Sequence, residues 1–289
     1  MRVNEGASRR AIICSVNLYV SNPGHISNFR RPELCLQNGM SWNRDRARAS
    51  TVCVIIICFN YGLYVTEAVA SVLAQTFQDF EIIVIEGGST DGMTKEVVRS
   101  LASTRRLRTI FQPRGKTIGE NRLTGLLAAS AKYVVFLDAD DLFESSYLEK
   151  AVSMLDASGA DLVTPDVKFF GNETIIETFK GLNSANVWET IGITRDIFVK
   201  NACSVSSVFK YSFWKRHDIG YCVDDNLLGD WDFWCRIAAH GGRSVHLAEP
   251  LHLYRVHGAN MTFRLSRQLG KSKTAFKRRW KQFAGTSNV

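Results

Sequence analysis

Three short apolar runs, Val52 to Cys58, Ile82 to Ile85 and Tyr133 to Leu137, constrain this chain more than any other feature. Each is continuous rather than alternating, and each gives way to polar residues. Strands covered on both faces read this way, whereas a strand with one wet face alternates. The stretches between them, Val65 to Ala74, Asp91 to Ser103 and Ile118 to Ser130, have compositions that suit helices, with Asp91 placed to cap the second. This β-α-β-α order predicts an α/β fold built on a doubly wound, mostly parallel sheet with flanking helices. With 289 residues the chain has the length for such a core. It holds no apolar run near the roughly 18 residues that a membrane-spanning helix requires.

Charge divides the chain into three. Residues 1–50 carry a net +5, residues 263–289 a net +8, and residues 51–262 a net −5, within an overall +8. The acidic middle argues against a nucleic-acid enzyme, in which basic residues are woven through the substrate-holding domain. Residues 1–50 contain Asn22-Pro23-Gly24 and scattered arginines without periodicity, and read as a poorly ordered basic extension. Met40 lies upstream of the first strand and is a second possible natural start. From Phe263, the residues Leu265, Leu269, Phe276, Trp280 and Phe283 recur at helical spacing among lysines and arginines. That pattern is a basic amphipathic helix, suited either to an anionic membrane surface or to packing its stripe on the domain. Seven cysteines, with no C-x-x-C pair and no Cys/His cluster, fit a reducing, cytoplasmic setting.

Open α/β sheets bind ligands at the carboxyl ends of their strands, and here each strand end is polar. The first runs into Phe59-Asn60, the second into Glu86-Gly87-Gly88-Ser89, and the third into Asp138-Ala139-Asp140-Asp141. Neither G-x-G-x-x-G after the first strand nor G-x-x-x-x-G-K-[ST] occurs, which disfavours a dinucleotide fold and a P-loop. Asp138 and Asp140 are two apart on an extended strand end, so both are expected on one side. Such a pair suits a hard cation that keeps waters and takes phosphate oxygens. Asp141 and Glu144 have the spacing of a helix capping box. Glu86 can accept from ribose hydroxyls or a base, or shape a tight turn. Asp230 and Asp232 open a helix, where the dipole favours carboxylates, and His257 follows as a possible ligand.

Taken together, VIIICFNYGLYVTEAVASVLAQTFQDFEIIVIEGGSTDG, FLDADD, GDWDFWCRIA and YRVHGANMT resemble the family 2 inverting glycosyltransferases of the GT-A fold, over residues 51–262. The resemblance implies a single catalytic domain with a Rossmann-like sheet. It also implies transfer of a sugar from a nucleotide-diphosphate donor to an acceptor hydroxyl on a glycan or lipid-linked acceptor, with one Mg²⁺ or Mn²⁺ on the diphosphate. By position, Asp140 would bind the metal, with Asp138 and His257 contributing, and Asp138 would also face the ribose. Phe59, Asn60, Glu86 and Arg122 would line the nucleotide site, and Asp230 would be the catalytic base, with Asp232 as a fallback. Two departures stand out: the common Asp-Asp after the second strand is Glu86-Gly87, and the common Glu-Asp before the late helix is Gly229-Asp230.

Two rival readings are a sugar nucleotidyltransferase and a non-catalytic sugar-nucleotide or membrane-binding module. The first would call for a basic Gly-rich loop after the first strand, which Asn60-Tyr61-Gly62 does not supply. The intact Asp138, Asp140 and Asp230 weigh against the second.

Overall fold

The computed structural model describes residues 50–179, 181–221 and 227–284. The basic extension with Met40, Cys14 and Cys35, together with Cys222, lies outside the described residues. The sheet has nine strands: β1 (Val52–Cys58), β2 (Phe80–Glu86), β3 (Leu107–Phe111), β4 (Tyr133–Asp138), β5 (Leu142–Phe143), β6 (Leu162–Gly171), β7 (Val187–Trp188), β8 (Val208–Lys210) and β9 (Ser244–Val256). The helices are α1 (Val65–Leu73), α2 (Thr94–Ser100), α3 (Ile118–Ala128), α4 (Tyr147–Ser158), α5 (Glu173–Ile176), α6 (Tyr211–Arg216), α7 (Gly229–Ala239), α8 (Met261–Arg264) and α9 (Leu269–Ala284).

Sheet order is β3-β2-β1-β4-β8-β6-β9-β5, with β7 added to β6. The first four strands are parallel, and beyond β4 the sheet becomes mixed, since β8 runs antiparallel to both β4 and β6. β1 explains why its sequence is apolar throughout. Val52, Val54, Ile56 and Cys58 enter one core and Cys53, Ile55 and Ile57 enter the other, on opposite faces of the same strand. At roughly 1.5–3 kcal/mol per buried Val or Ile, this strand anchors both layers. α1 and α4 cover the first face; α3, α7 and α9 cover the second.

α3 begins on a capping box in which the Thr117 hydroxyl accepts from the Glu120 N–H while the Glu120 carboxylate accepts from the Thr117 N–H. It lies close on the sheet because Gly125 has no side chain. A Cβ there would sit 2.4 Å from Ile55 Cγ2. α2 starts three residues later than its composition predicts, with Met93 rather than Asp91 at its N-cap, and Asp91 accepts from the Thr94 N–H at 3.0 Å from the turn before it.

The apolar stripe of the C-terminal helix packs on the domain. Phe276 and Trp280 are buried, Phe276 lies 4.0 Å from the Trp231 ring, and Phe198 contacts both Trp280 and Phe283. A membrane surface is therefore not met by this stripe, because the domain already covers it. Among the described residues no helix is long and apolar enough to cross a membrane.

Candidate active site

β1 lies between β2 and β4, with Cys58 opposite Glu86 and Ile57 opposite Asp138, so three strand ends open at one edge of the sheet. The chain doubles back there, with β2 on one side and β4 on the other, which is where open α/β sheets place ligands. Phe59 follows β1 with 42% of its surface exposed. Asn60 takes a left-handed conformation (φ 59°), accepts from the Thr90 N–H at 2.7 Å through Oδ1, and donates its own N–H to Ser89 Oγ at 2.9 Å. It clamps the β1 and β2 loops together, and its side-chain oxygen is engaged in the clamp.

Glu86 does not reach outward. It is fully buried, and its carboxylate accepts from the N–H groups of Ser89 at 2.6 Å and Gly88 at 3.2 Å. Of the two roles the sequence leaves open for Glu86, the structure shows the one that shapes the turn, in place of an outward reach toward ribose or a base. An acid at this position ties the turn that follows it through the two backbone donors of that turn. Gly88 (φ 81°) makes the turn feasible, since a Cβ would sit 2.8 Å from Arg114 backbone atoms.

The four residues after Leu137 separate into distinct roles. β4 ends at Asp138 and Asp140 lies in the turn beyond it, so the two carboxylates take different partners rather than sharing one extended face. Asp138, whose side chain is 33% exposed, accepts from Arg122 Nη2 at 2.8 Å. Asp140 accepts through Oδ2 from His257 Nε2 at 3.0 Å and Asn260 Nδ2 at 3.2 Å. Asp141 is not a helix cap. It is fully buried, accepts from the Arg255 N–H and is hydrogen-bonded to His252 Nε2, tying the turn to β9, while α4 starts only at Tyr147. Burial raises the pKa of Asp140, and the neighbouring Asp138 adds to the shift; burial followed by Asp140 and Asp138 raises that of Asp141.

His257 stands where a late ligand was expected, but as a donor. Its Nδ1 accepts from the Ala259 N–H at 3.2 Å, which leaves the proton on Nε2, facing Asp140. Its ring stacks on Tyr64 at 4.9 Å and meets Tyr61 edge-on at 5.6 Å. Coordination through Nε2 would displace this hydrogen bond, so His257 orients Asp140 in this structure.

Arg122 links the parts. Its guanidinium is buried, donates to Asp138 and to the Tyr221 hydroxyl at 2.8 Å, and lies 5.5 Å from the Phe136 and Tyr221 ring centres. Its Nε and the Oδ1 of Asn121 are buried without a hydrogen-bond partner among the described residues. Asp230, half-buried in the first turn of α7, is close enough for its charge to be felt by Arg122 and Asp138. Its pKa is raised, chiefly by burial, with the Arg122 charge pulling the other way.

Asp232 is excluded as a base. It is 1% exposed, and its carboxylate is held by Arg236 Nε at 2.6 Å, Arg279 Nη1 at 2.8 Å and Trp280 Nε1 at 3.0 Å. Two residues on a helix differ by about 200° in direction, which sends Asp232 inward to α9 while Asp230 faces away. Tyr221, Asn260, His252 and Arg255 belong to the site's framework but were not singled out in the sequence, although Arg255 and Asn260 lie within YRVHGANMT. Only Arg255 and Asn260 flank a residue that the sequence singles out.

The residues present fit a divalent cation at Asp140. No three Asp, Glu, His or Cys side chains form a ready cage among the described residues. What remains is a buried carboxylate with a second acid nearby, the small protein donor set of a hard ion that fills its shell with water and phosphate oxygens.

The glycosyl transferase family 2 model matches residues 53–211, which is more than half of the chain. The chain belongs to this family. Among relatives, an uncharacterized glycosyltransferase of Nostoc is 29% identical over 228 residues and one of Haemophilus influenzae is 26% identical over 217 residues. Each match covers 72% of this chain and 66% of the relative, so the chain spans just under two-thirds of those proteins. Staphylococcus aureus TarS 1-349, solved in complex with UDP-GlcNAc, shares the fold with a TM-score of 0.61 at 20% identity, over 73% of this chain and 60% of that one. The mannosyltransferase PcManGT of Pyrobaculum calidifontis, solved with GDP-Man and Mn²⁺, has a TM-score of 0.55 at 20% identity, over 79% of this chain and 65% of that one. The sheet and helices of this family 2 chain are thus of the GT-A type.

Proposed function

We propose that this family 2 chain is a metal-assisted inverting glycosyltransferase, moving a sugar from a nucleotide-diphosphate donor to an acceptor hydroxyl in polysaccharide or glycolipid synthesis. The observation that carries the reading is Arg122, one buried guanidinium that holds Asp138 and lies within electrostatic reach of Asp230. That link supports reading Asp138 as the donor-side acid and Asp230 as the base of one crevice. The complexes of TarS with UDP-GlcNAc and of PcManGT with GDP-Man and Mn²⁺ support a sugar-nucleotide donor.

In this reading the exposed Phe59 ring stacks on the nucleobase, and the Asn60–Thr90 clamp and Glu86 hold the loops on either side of it. Asp140, with Asp138 beside it, would hold Mg²⁺ or Mn²⁺, which supplies neutralisation of charge on the leaving diphosphate. His257 and Asn260 orient Asp140. Asp230 takes the proton from the acceptor hydroxyl as that oxygen bonds to the anomeric carbon and the glycosyl–phosphate bond breaks on the opposite face. One displacement through an oxocarbenium-like state inverts the configuration. A base must be ionised to act, and the Arg122 charge favours that form of Asp230 against its burial.

The test is release of nucleoside diphosphate from UDP-GlcNAc and GDP-Man, in the presence of Mn²⁺ and a set of acceptor sugars. Asp230→Asn should lower turnover by about 10²- to 10⁴-fold while leaving nucleotide affinity near wild type. Equal turnover in the variant would remove Asp230 from the chemistry.

A further inference from the structure

With the apolar stripe of α9 packed on the domain, its outer face remains, and every charged side chain on that face is cationic. Lys271, Lys273, Lys277, Arg278 and Lys281 are all exposed, and no acidic residue occurs from Phe263 to Ala284. At about 100° per residue these five fall within one arc of about 160°, which begins beside the stripe of Leu269, Phe276, Trp280 and Phe283, with Lys273 next to Trp280, and turns away from it. Arg279 lies outside that arc, half-buried, and is bonded to Asp232. The helix is fixed in this orientation from beneath by the Trp231–Phe276 contact and the Asp232 clamp, so the cationic arc is a preformed surface rather than one face of a free amphipathic peptide.

We infer that the outer face of α9 docks the protein on an anionic lipid bilayer by electrostatics alone, without inserting apolar side chains. Charge complementarity sets the partner, and three features narrow it. The body of the chain, residues 51–262, carries a net −5, so a planar anionic surface attracts the outer face of α9 and repels that body, which orients it. The aromatic residues of the helix point inward and give no stacking platform of the sort used for single-stranded nucleic acid. A single straight arc of point charges on lysine stems suits headgroups in a plane, where each cation contributes roughly fivefold to partitioning.

This inference stands apart from the proposed reaction, since none of these residues touches the crevice. The test is co-sedimentation of the full chain with vesicles of phosphatidylcholine plus phosphatidylglycerol, and with phosphatidylcholine alone. The wild type should bind only the anionic vesicles. Binding should vanish with added salt, as the Debye length falls from about 30 Å at 0.01 M to about 3 Å at 1 M. The triple variant Lys271→Gln/Lys277→Gln/Lys281→Gln should partition on the order of 100-fold less, with an unchanged melting temperature and unchanged donor turnover in solution. Absence of binding at low salt, or equal binding by the triple variant, would overturn the inference. So would salt-resistant binding, which would mean that the buried stripe is released and inserted. Tighter binding to a homopolymer RNA than to the anionic vesicles would reassign the face to nucleic acid.

Discussion

Arg122 is the residue on which the two acids of the crevice depend. Burying a guanidinium is costly unless it is paired, and Asp138 and the Tyr221 hydroxyl supply partners while the Phe136 ring lies against it. Asp230 feels the same charge. Its carboxyl, raised by burial, is pulled back toward ionisation by Arg122 and pushed up further by Asp138. A base works only when deprotonated, so kcat/KM should rise with pH through the pKa of Asp230. Arg122→Met removes the downward pull and should move that acidic limb to higher pH. Arg122→Lys, which keeps the charge but not the fork, should move it less. A limb that stays in place in the Met variant would mean that another group titrates. Orientation explains what was illegible at this scale. The sequence places Glu86, Asp138, Asp140 and Asp230 at the right strand and helix ends, but a carboxylate's direction depends on which N–H or cation lies nearest after folding. Glu86 finds the Ser89 N–H, and Asp141 finds Arg255 and His252 from β9, more than a hundred residues later.

Packing of whole elements decides what the helices can do. α9 is tied to α7 by one buried carboxylate with three donors, so Asp232→Ala removes the bond that Arg236, Arg279 and Trp280 each make to it. Breaking such a buried pair costs about 3–5 kcal/mol, and faster hydrogen exchange confined first to α9 in the variant would show the loss of docking. Retained stability with unchanged protection of α9 would contradict the clamp. α3 offers a second case: Gly125→Ala places a methyl group against Ile55, and overpacking of this kind costs about 1–3 kcal/mol by urea unfolding. Because α3 carries Arg122, the same variant should lose activity beyond what its stability predicts. Strands β1, β2 and β4 were legible because both faces are buried and the apolar run is unbroken. β3 was not, since Arg108 and Thr109 interrupt Leu107–Phe111 and its position at the sheet edge leaves part of it exposed. The amphipathic pattern of α9 was legible as a pattern only. A stripe of Phe and Trp has the same spacing whether lipid or protein covers it, and Phe198 and Trp231, which settle the matter, lie far away in the sequence.

For the molecule as a whole, a parallel half of four strands supplies the crevice and a mixed half closes it from the other side. The parallel half was readable from local runs joined by helices. The mixed half depends on pairings such as β6 with β9 and β4 with β8, whose partners are distant and whose strands include polar positions. The crevice draws on both halves: Asp138 ends β4 and Asp140 follows it, whereas His257 and Asn260 follow β9, so Asp140 is oriented only when the sheet is complete. The most direct measurement of the central claim is calorimetric titration of UDP and GDP into the full chain, with and without Mn²⁺, in wild type and in Asp140→Ala. Binding of a nucleotide that requires Mn²⁺ and is lost in the variant is the predicted result. Metal-independent binding unchanged in Asp140→Ala, or no nucleotide binding by the folded wild type, would contradict it.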